Sequence, residues 1–293
     1  MQWGIATAAI VLLSIGLGDP NDCEAAAFQV TSICAVSTAL PCDNPDLTVF
    51  LVGEIVSGDT DRLKAVLEQA GPEVTSVSLR SPGGSVDEGI KIGRLVRSLY
   101  MSTRAPFVEG KYVACEREST VLGAPVPCTC ASACFLVFVG GVQRWGTDIL
   151  VHRIKFDSSV FGSLEFPEAA KTYQAAMEVV RNYLAEMGVQ ERFYERMFNT
   201  SSSQVSELNA DEIRELTGAA AGDPSFAEWL DAKCPRRGGF GHPPAVSDQR
   251  CFEEVIMKAR YEAFHTVFGT PQLTPPAVCA RYARTILCDP RQP

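Results

Sequence analysis

The sequence lacks CxxC pairs and lacks histidines near a Cys pair at zinc-finger spacing. Its 293 residues include 11 cysteines, yet none of them stands in a CxxC pair, and there are only three histidines. Structural zinc sites combine Cys pairs, or Cys and His pairs, at short and regular spacings. We therefore expect no metal site and no cofactor. The many cysteines indicate disulfide bonds instead, and these form in oxidising compartments.

Positive charge is also scarce. The chain has 26 Lys and Arg against 35 Asp and Glu, which gives a formal net charge of −9. Because binding to nucleic acid phosphates requires a basic surface, we expect no nucleic acid partner. The chain also lacks the GxxxxGK[ST] loop that cradles nucleotide phosphates, so no ATPase domain of that kind is expected.

The sequence also lacks an apolar run of the roughly 20 residues that a membrane-spanning helix usually needs. The apolar run at residues 5–17 has the length of a signal peptide core, although Lys and Arg are absent before it. Alanines at residues 25–27 satisfy the small-residue rule for cleavage before Phe28. We predict a signal peptide over residues 1–27 and a periplasmic or secreted protein. An uncleaved anchor is the alternative, and the chain would then meet the membrane through this segment alone.

Three further segments follow the predicted signal peptide. Residues 28–46 form a lead-in that a Cys34–Cys42 disulfide would staple, and residues 47–220 form the main domain. Residues 221–293 form an extension in which Lys and Arg outnumber Asp and Glu from Lys233 onward. The simplest disulfide pairings of the four cysteines in the extension are Cys234–Cys251 and Cys279–Cys288. Spacing alone does not fix the connectivity.

Strand and helix patterns alternate along the main domain. Continuous or alternating apolar residues predict strands at residues 47–52 and 74–79. Helical patterns occupy residues 59–67, 85–98, 167–187, 190–198 and 210–216. Ser85 and Glu88 have the spacing of a capping box at the start of the second of these helices. This alternation is typical of an α/β fold with a mostly parallel sheet.

Three segments carry residues that suit acyl-transfer chemistry. The SPGG turn at residues 81–84 ends a predicted strand and exposes backbone N–H groups that can hold an oxyanion. Ser132 lies among small residues before the apolar run at 135–139, and His152 ends the apolar run at 149–151. Each segment also has a purely structural explanation: a plain turn, an N-cap serine and a structural histidine. Propensity alone favours a strand at residues 135–139. If this run is a helix instead, Ser132 lies at its first turn.

The order of these three segments resembles the Clp protease (ClpP) family, within the ClpP/crotonase superfamily. The sequence is most similar to exported, cysteine-containing ClpP-like bacterial proteins, over residues 47–217. The resemblance implies a ClpP/crotonase-like βαβ spiral core, here followed by a helical, disulfide-linked C-terminal extension. It makes Ser132 the nucleophile, His152 the general base, and the N–H groups of Gly84 and Ala133 the oxyanion hole. A polypeptide substrate and an oligomer are in keeping with the family.

The sequence departs from the family at the third catalytic residue. The family orients its histidine with an aspartate, and the equivalent position falls near residues 199–201, where no carboxylate stands. Asn199 is the candidate that remains, because an asparagine orients the histidine in Cys-His-Asn proteases. Asp148 and Asp157 are weaker candidates. The separation of Ser132 and His152 is also somewhat shorter than in the Clp proteases, so the loop between them must be trimmed.

The cysteines around Ser132 add a further feature. Cys130 and Cys134 bracket Ser132 and would pair with each other, or with Cys115 and Cys128, and so brace the turn. A cysteine nucleophile is disfavoured, because the thiol would have to escape oxidation.

These features give one leading function and two alternatives. The leading prediction is an exported serine hydrolase, a peptidase that acts through a Ser-His dyad or an incomplete triad. No ATPase partner is expected outside the cytoplasm. The first alternative is a catalytically silent binding or assembly module of the cell envelope on the same fold. The second is crotonase chemistry on an acyl-CoA, which an exported protein would rarely meet.

Overall fold

The computed structural model describes residues 26–33, 46–109, 112–113, 128–155, 165–219, 224–234 and 246–269. Most of the predicted signal peptide lies outside these residues, as do Cys34, Cys42, Cys115 and Asp157. The predicted Cys279–Cys288 pair also lies outside them. Within the described ranges, no helix is long and apolar enough to cross a membrane.

The chain folds as a mixed α/β protein, as the alternation of patterns predicts. The strands in chain order, β1 to β11, are Ala27–Ile33, Asp46–Val52, Val74–Arg80, Ser102–Arg104, Val108–Glu109, Tyr112–Val113, Cys130–Ala131, Gln143–Trp145, Ile149–Val151, Ser206–Glu207 and Gly218–Ala219. The helices, α1 to α8, are Asp59–Ala70, Val86–Ser98, Ala133–Gly140, Phe166–Glu186, Glu191–Asn199, Ala210–Leu216, Pro224–Lys233 and Val246–Phe268.

The main sheet has six strands in the order β1-β2-β3-β4-β8-β11. The four central strands, β2, β3, β4 and β8, run parallel to one another, and an antiparallel strand closes each edge. Strand β3 is buried along almost its whole length, as expected for a strand covered on both faces. The carboxyl ends of the parallel strands therefore share one edge, where ligands of such sheets usually bind.

A smaller sheet, in the order β10-β9-β7, meets the main sheet at this edge. Strands β7 and β9 run parallel, with Ala131 opposite Leu150, and β10 pairs antiparallel with β9. A bridge between Ser81 and Cys130 connects the end of β3 to β7. The second sheet thus brings the segments around Ser132 and His152 next to the SPGG turn.

Helix α3 forms the centre of the core, and every one of its residues is buried. It packs against α2 with backbone close to backbone. A Cβ added at Gly140 would lie 2.6 Å from Cα of Gly93, and one added at Gly89 would lie 2.8 Å from the carbonyl oxygen of Ala133. Glycine at these crossing points allows the close approach of the two helices. In this close packing residues 135–139 form a helix, not the strand that propensity favours.

Tyr183 of α4 binds α3 at the same crossing, next to Gly93 of α2. Its buried hydroxyl donates a hydrogen bond of 2.7 Å to the carbonyl oxygen of Leu136. Burial raises the pKa of Tyr183, so the hydroxyl stays protonated and keeps donating.

Replacing Tyr183 with phenylalanine should lower the free energy of unfolding by about 1 kcal/mol, because a buried hydrogen bond is lost. Urea unfolding measures this loss. Tyr194→Phe is the matched control, since the Tyr194 side chain is only half-buried and stacks on Phe198. An equal loss in both variants would contradict the role given to the Tyr183 hydroxyl.

The described part of the C-terminal extension consists of two helices linked by a disulfide. Cys234, directly after α7, bonds to Cys251 of α8, which confirms one of the two simplest pairings. Helix α7 packs Phe226 and Trp229 against Tyr100, the second residue after the end of α2. Arg260 of α8, almost wholly buried, donates to the carbonyl oxygen of Tyr100 at 2.9 Å. The described part of the extension therefore lies against the main domain.

Candidate functional site

The SPGG turn stands at the carboxyl end of β3 in a conformation that needs glycine. Gly83 has φ +107° and Gly84 has φ +130°, both in the region that side chains rarely adopt. Ile55 donates its N–H to the carbonyl oxygen of Gly83, and its own carbonyl oxygen accepts the N–H of Ser85, each at 2.7 Å. A Cβ on Gly84 would overlap this Ile55 carbonyl oxygen. Ile55 thus fixes the direction of the Gly84 peptide from both sides.

The helix after this turn begins as predicted, with one difference. The Ser85 side chain accepts the N–H of Glu88 and caps α2. Glu88 does not complete the capping box, because its carboxylate instead accepts the N–H and the hydroxyl of Thr60. The side chain of Glu88 therefore ties α2 to α1.

Ser132 forms the turn from β7 into α3. Its backbone has φ +57° and ψ −120°, a strained conformation for a residue with a Cβ. Ser132 holds the N-cap position, yet its hydroxyl makes no capping hydrogen bond. In the nucleophile elbow of α/β-hydrolases, a serine at a sharp strand-to-helix turn of this kind exposes its hydroxyl to the substrate. The N-cap explanation of Ser132 thus accounts for its position but not for its hydroxyl.

The SPGG turn and the Ser132 turn are in direct contact. Ala131 donates its N–H to the carbonyl oxygen of Ser81 at 3.0 Å. A Cβ on Gly83 would lie 2.6 Å from Cβ of Ser132 and 3.1 Å from the nitrogen of Ala133. In the described part of the chain, no hydrogen bond takes the N–H of Gly84 or of Ala133. Two backbone donors thus remain uncommitted on segments that meet at Ser132, as an oxyanion hole requires.

His152 comes directly after β9, the strand next to Ser132. The N–H of Ser132 donates to the carbonyl oxygen of Leu150 at 3.0 Å, so the two segments are bonded to each other. Nδ1 of the half-exposed His152 lies 2.8 Å from the carbonyl oxygen of Arg153. A carbonyl oxygen can only accept, so Nδ1 carries the proton in this hydrogen bond. In the neutral ring, Nε2 then holds the free lone pair of a base.

Asn199, the first candidate to orient His152, is not hydrogen-bonded to it in the described part of the chain. Asn199 is exposed at the last position of α5. The next residue, Thr200, accepts the N–H of Arg153 through its carbonyl oxygen at 3.1 Å. The carbonyl oxygen of Arg153 thus stands where the carboxylate or amide was expected.

Asp148, one of the two weaker candidates, bonds to the segment of Ser132 through its backbone. Its carbonyl oxygen accepts the N–H of Cys130 at 3.2 Å. Burial raises the pKa of its carboxyl group, and the negative charge of Glu207 adds to this effect. Among the described residues, no hydrogen bond links Asp148 to His152, and none links the hydroxyl of Ser132 to the imidazole.

Cys130 and Cys134 form a disulfide, the first of the pairings that the sequence left open. Their Cα atoms are 5.2 Å apart and both residues are fully buried. Cys128 is disulfide-bonded as well. The Cys130–Cys134 bond closes a small loop around the Ser132 turn and joins β7 to the first turn of α3. Neither sulfur is a free thiol, which agrees with the rejection of a cysteine nucleophile.

Sequence reasoning did not find the role of the Arg153 carbonyl oxygen. Every residue has a backbone carbonyl, so no side-chain type or spacing marks the one that contacts an imidazole. Within the described residues, no group of three His, Cys, Asp or Glu is placed to hold a metal ion. No protein-family model matches the chain, and the comparison with curated proteins also gives no match.

Proposed function

We propose that this protein is an exported serine hydrolase of the ClpP-like type, a peptidase that cleaves polypeptides by acyl transfer. The observation that carries the proposal is the turn at Ser132. Its hydroxyl lies at a strained strand-to-helix turn, makes no capping bond, and adjoins two uncommitted backbone N–H groups. The contact of the SPGG turn with this serine supports a core of the ClpP/crotonase spiral kind.

In the proposed reaction, Nε2 of His152 removes the proton of Ser132 Oγ as that oxygen attacks the carbonyl carbon of the substrate. The tetrahedral intermediate carries a negative oxygen, which accepts hydrogen bonds from the N–H groups of Gly84 and Ala133. The imidazolium then protonates the leaving amine. Water, activated by the same imidazole, releases the acyl group and restores Ser132.

The partner of Nδ1 sets the expected rate. The Arg153 carbonyl oxygen holds His152 in the correct tautomer, but it carries no net charge to stabilise the imidazolium that forms. Loss of the orienting acid can cost about 10⁴ in rate in serine proteases. The site is therefore proposed to act as a slow dyad rather than as a full triad.

The disulfides support the proposed location. Cys130–Cys134 and Cys234–Cys251 are compatible with a compartment outside the cytoplasm, because thiols stay reduced in the cytosol. We place the protein in the periplasm or outside the cell, where no ATPase partner would feed it substrate. Its substrates would then be polypeptides that enter the site already unfolded.

Labelling with a fluorophosphonate probe tests the proposal. The folded, disulfide-intact protein should take up the probe, and Ser132→Ala should take up none, because the attacking oxygen is missing. Ser203→Ala is the matched control, since Ser203 lies exposed at a turn after α5. The hydrolase proposal fails if the wild-type protein remains unlabelled, or if Ser132→Ala labels as well as the wild type.

One observation favours a second candidate, the catalytically silent binding or assembly module. In the described part of the chain, neither a Ser132–His152 hydrogen bond nor a carboxylate on His152 is present. A folded wild-type protein that stays unlabelled across the pH range in which histidine loses its proton would support this candidate.

A further inference from the structure

We propose that Arg196 is a positioning residue for His152, although it does not touch the imidazole. The inference deepens the proposed hydrolase function and rests on it for its kinetic consequence. Arg196 lies on the last turn of α5. It forms hydrogen bonds to β10 and to Thr200, and each of these in turn bonds to a chain segment beside His152.

The side chain of Arg196 holds β10. Nε donates to the hydroxyl of Ser206 at 3.1 Å, and Nη2 donates to the carbonyl oxygen of Glu207 at 2.7 Å. Nη1 forms an ion pair with the carboxylate of Glu212. The Glu212 side chain is only 16% exposed, so the pair is better shielded from solvent than a typical surface pair.

Strand β10 in turn holds the strand that ends at His152. Ser206 pairs with Val151 and Glu207 pairs with Leu150. The N–H of Leu208 donates to the carbonyl oxygen of Ile149 at 3.0 Å. Strand β10 is only two residues long and makes few ladder bonds. The guanidinium group of Arg196 supplies additional contacts to β10.

The main chain of Arg196 holds the other side of His152. Its carbonyl oxygen accepts the N–H of Thr200 at 3.1 Å and the hydroxyl of Thr200 at 2.8 Å. The carbonyl oxygen of Thr200 accepts the N–H of Arg153, and the carbonyl oxygen of Arg153 accepts the Nδ1 proton of His152. One residue thus anchors the strand before the imidazole and the carbonyl group that orients it.

Arginine suits this role because its planar guanidinium presents several donors in a fixed geometry. Here the three nitrogens reach three different acceptors: a hydroxyl, a carbonyl and a carboxylate. Lysine could reach one or two of them from a single nitrogen, so Arg196→Lys should retain part of the effect.

The experiment compares Arg196→Met with Arg214→Met, in the full disulfide-bonded chain. Arg214 pairs with Asp211 on the neighbouring helix α6, where both side chains are highly exposed, so it is a matched control. Nitrogen-15 NMR of the imidazoles, assigned with a His152→Asn variant, reports the tautomer of His152. The rate of fluorophosphonate labelling at several pH values reports whether His152 still acts as the general base.

Arg196→Met should shift His152 from the Nδ1–H tautomer to a mixture and slow labelling between about 10- and 100-fold, as a misplaced catalytic group does. Arg196→Lys should recover part of both readouts, and Arg214→Met should change neither. If Arg196→Met does not fold, Glu212→Gln replaces it, with a smaller change in the same directions.

The inference is overturned if the Arg196 and Glu212 variants keep the wild-type tautomer and labelling rate, even when they unfold more easily. The NMR readout does not depend on catalysis. A wild-type protein that never labels would therefore overturn the hydrolase function, while the tautomer of His152 would still decide the role of Arg196.

Discussion

Replacing Gly84 with alanine should slow fluorophosphonate labelling of Ser132 by about 10²–10³-fold. A Cβ at this φ of +130° is strained and would overlap the carbonyl oxygen of Ile55, so the peptide must move. Its N–H would then no longer reach the oxyanion. Loss of one such donor typically costs about 10²–10³ in rate. The enforced backbone conformation should also lower the free energy of unfolding by about 1–3 kcal/mol.

Gly58→Ala separates these two effects. Gly58 has φ +88°, yet no atom lies within 4 Å of an added Cβ, and the residue stands at the N-cap of α1. This variant should lose stability through backbone strain alone and should label at the wild-type rate. The measurements are labelling kinetics and urea unfolding of both variants. If Gly84→Ala labels as fast as Gly58→Ala, the N–H of Gly84 has no part in the reaction.

Removing the Cys130–Cys134 disulfide should have the second largest effect. Ser132 keeps its strained backbone only while the structure around it enforces that conformation. The disulfide closes a loop of a few residues across this turn, a constraint on the unfolded chain worth about 2 kcal/mol. Without it the turn should relax, and a shift of Ser132 Oγ by about 1 Å can cost about 10²-fold in rate.

The test uses the double variant Cys130→Ala/Cys134→Ala, with Cys234→Ala/Cys251→Ala as its control. The control removes a disulfide from the extension, between α7 and α8. Both double variants should be less stable, but only the first should label slowly. Equal labelling by the two would show that the Ser132 turn does not depend on its disulfide.

Long, strongly patterned elements could be predicted from the sequence. Four elements lie within one residue of their predicted bounds: the strands Asp46–Val52 and Val74–Arg80 and the helices Val86–Ser98 and Phe166–Glu186. Their apolar periodicity extends over enough residues to be unambiguous. Strands of two or three residues, such as Cys130–Ala131, carry no period at all, and only tertiary bonds define them.

Helix Ala133–Gly140 could not be predicted from local propensity. Its run of Phe, Leu and Val favours a strand by propensity, and full burial removes the amphipathic signal that marks a helix. The glycines at its crossing with α2 allow the two helices to approach closely, and this tertiary contact leaves no pattern in the local sequence. At the candidate site, Ser132, Gly84, Ala133 and His152 could be named from motif order. The hydrogen bond to the Arg153 carbonyl oxygen could not, because it belongs to the backbone.

Tyr100 gives the boundary near residue 220 a different meaning. Lys and Arg outnumber Asp and Glu only from Lys233 onward, as if an acidic body and a basic extension were separate modules. Yet Val142 of the body shares an apolar cluster with Phe226, Leu230 and Ile256 of the extension, and Tyr100 packs against it. A chain that ended at residue 220 would lose three of the four buried residues of this cluster and would expose Val142 and Tyr100 to water. The change in charge therefore marks a boundary in composition, while the unit that folds continues at least into helix Val246–Phe268.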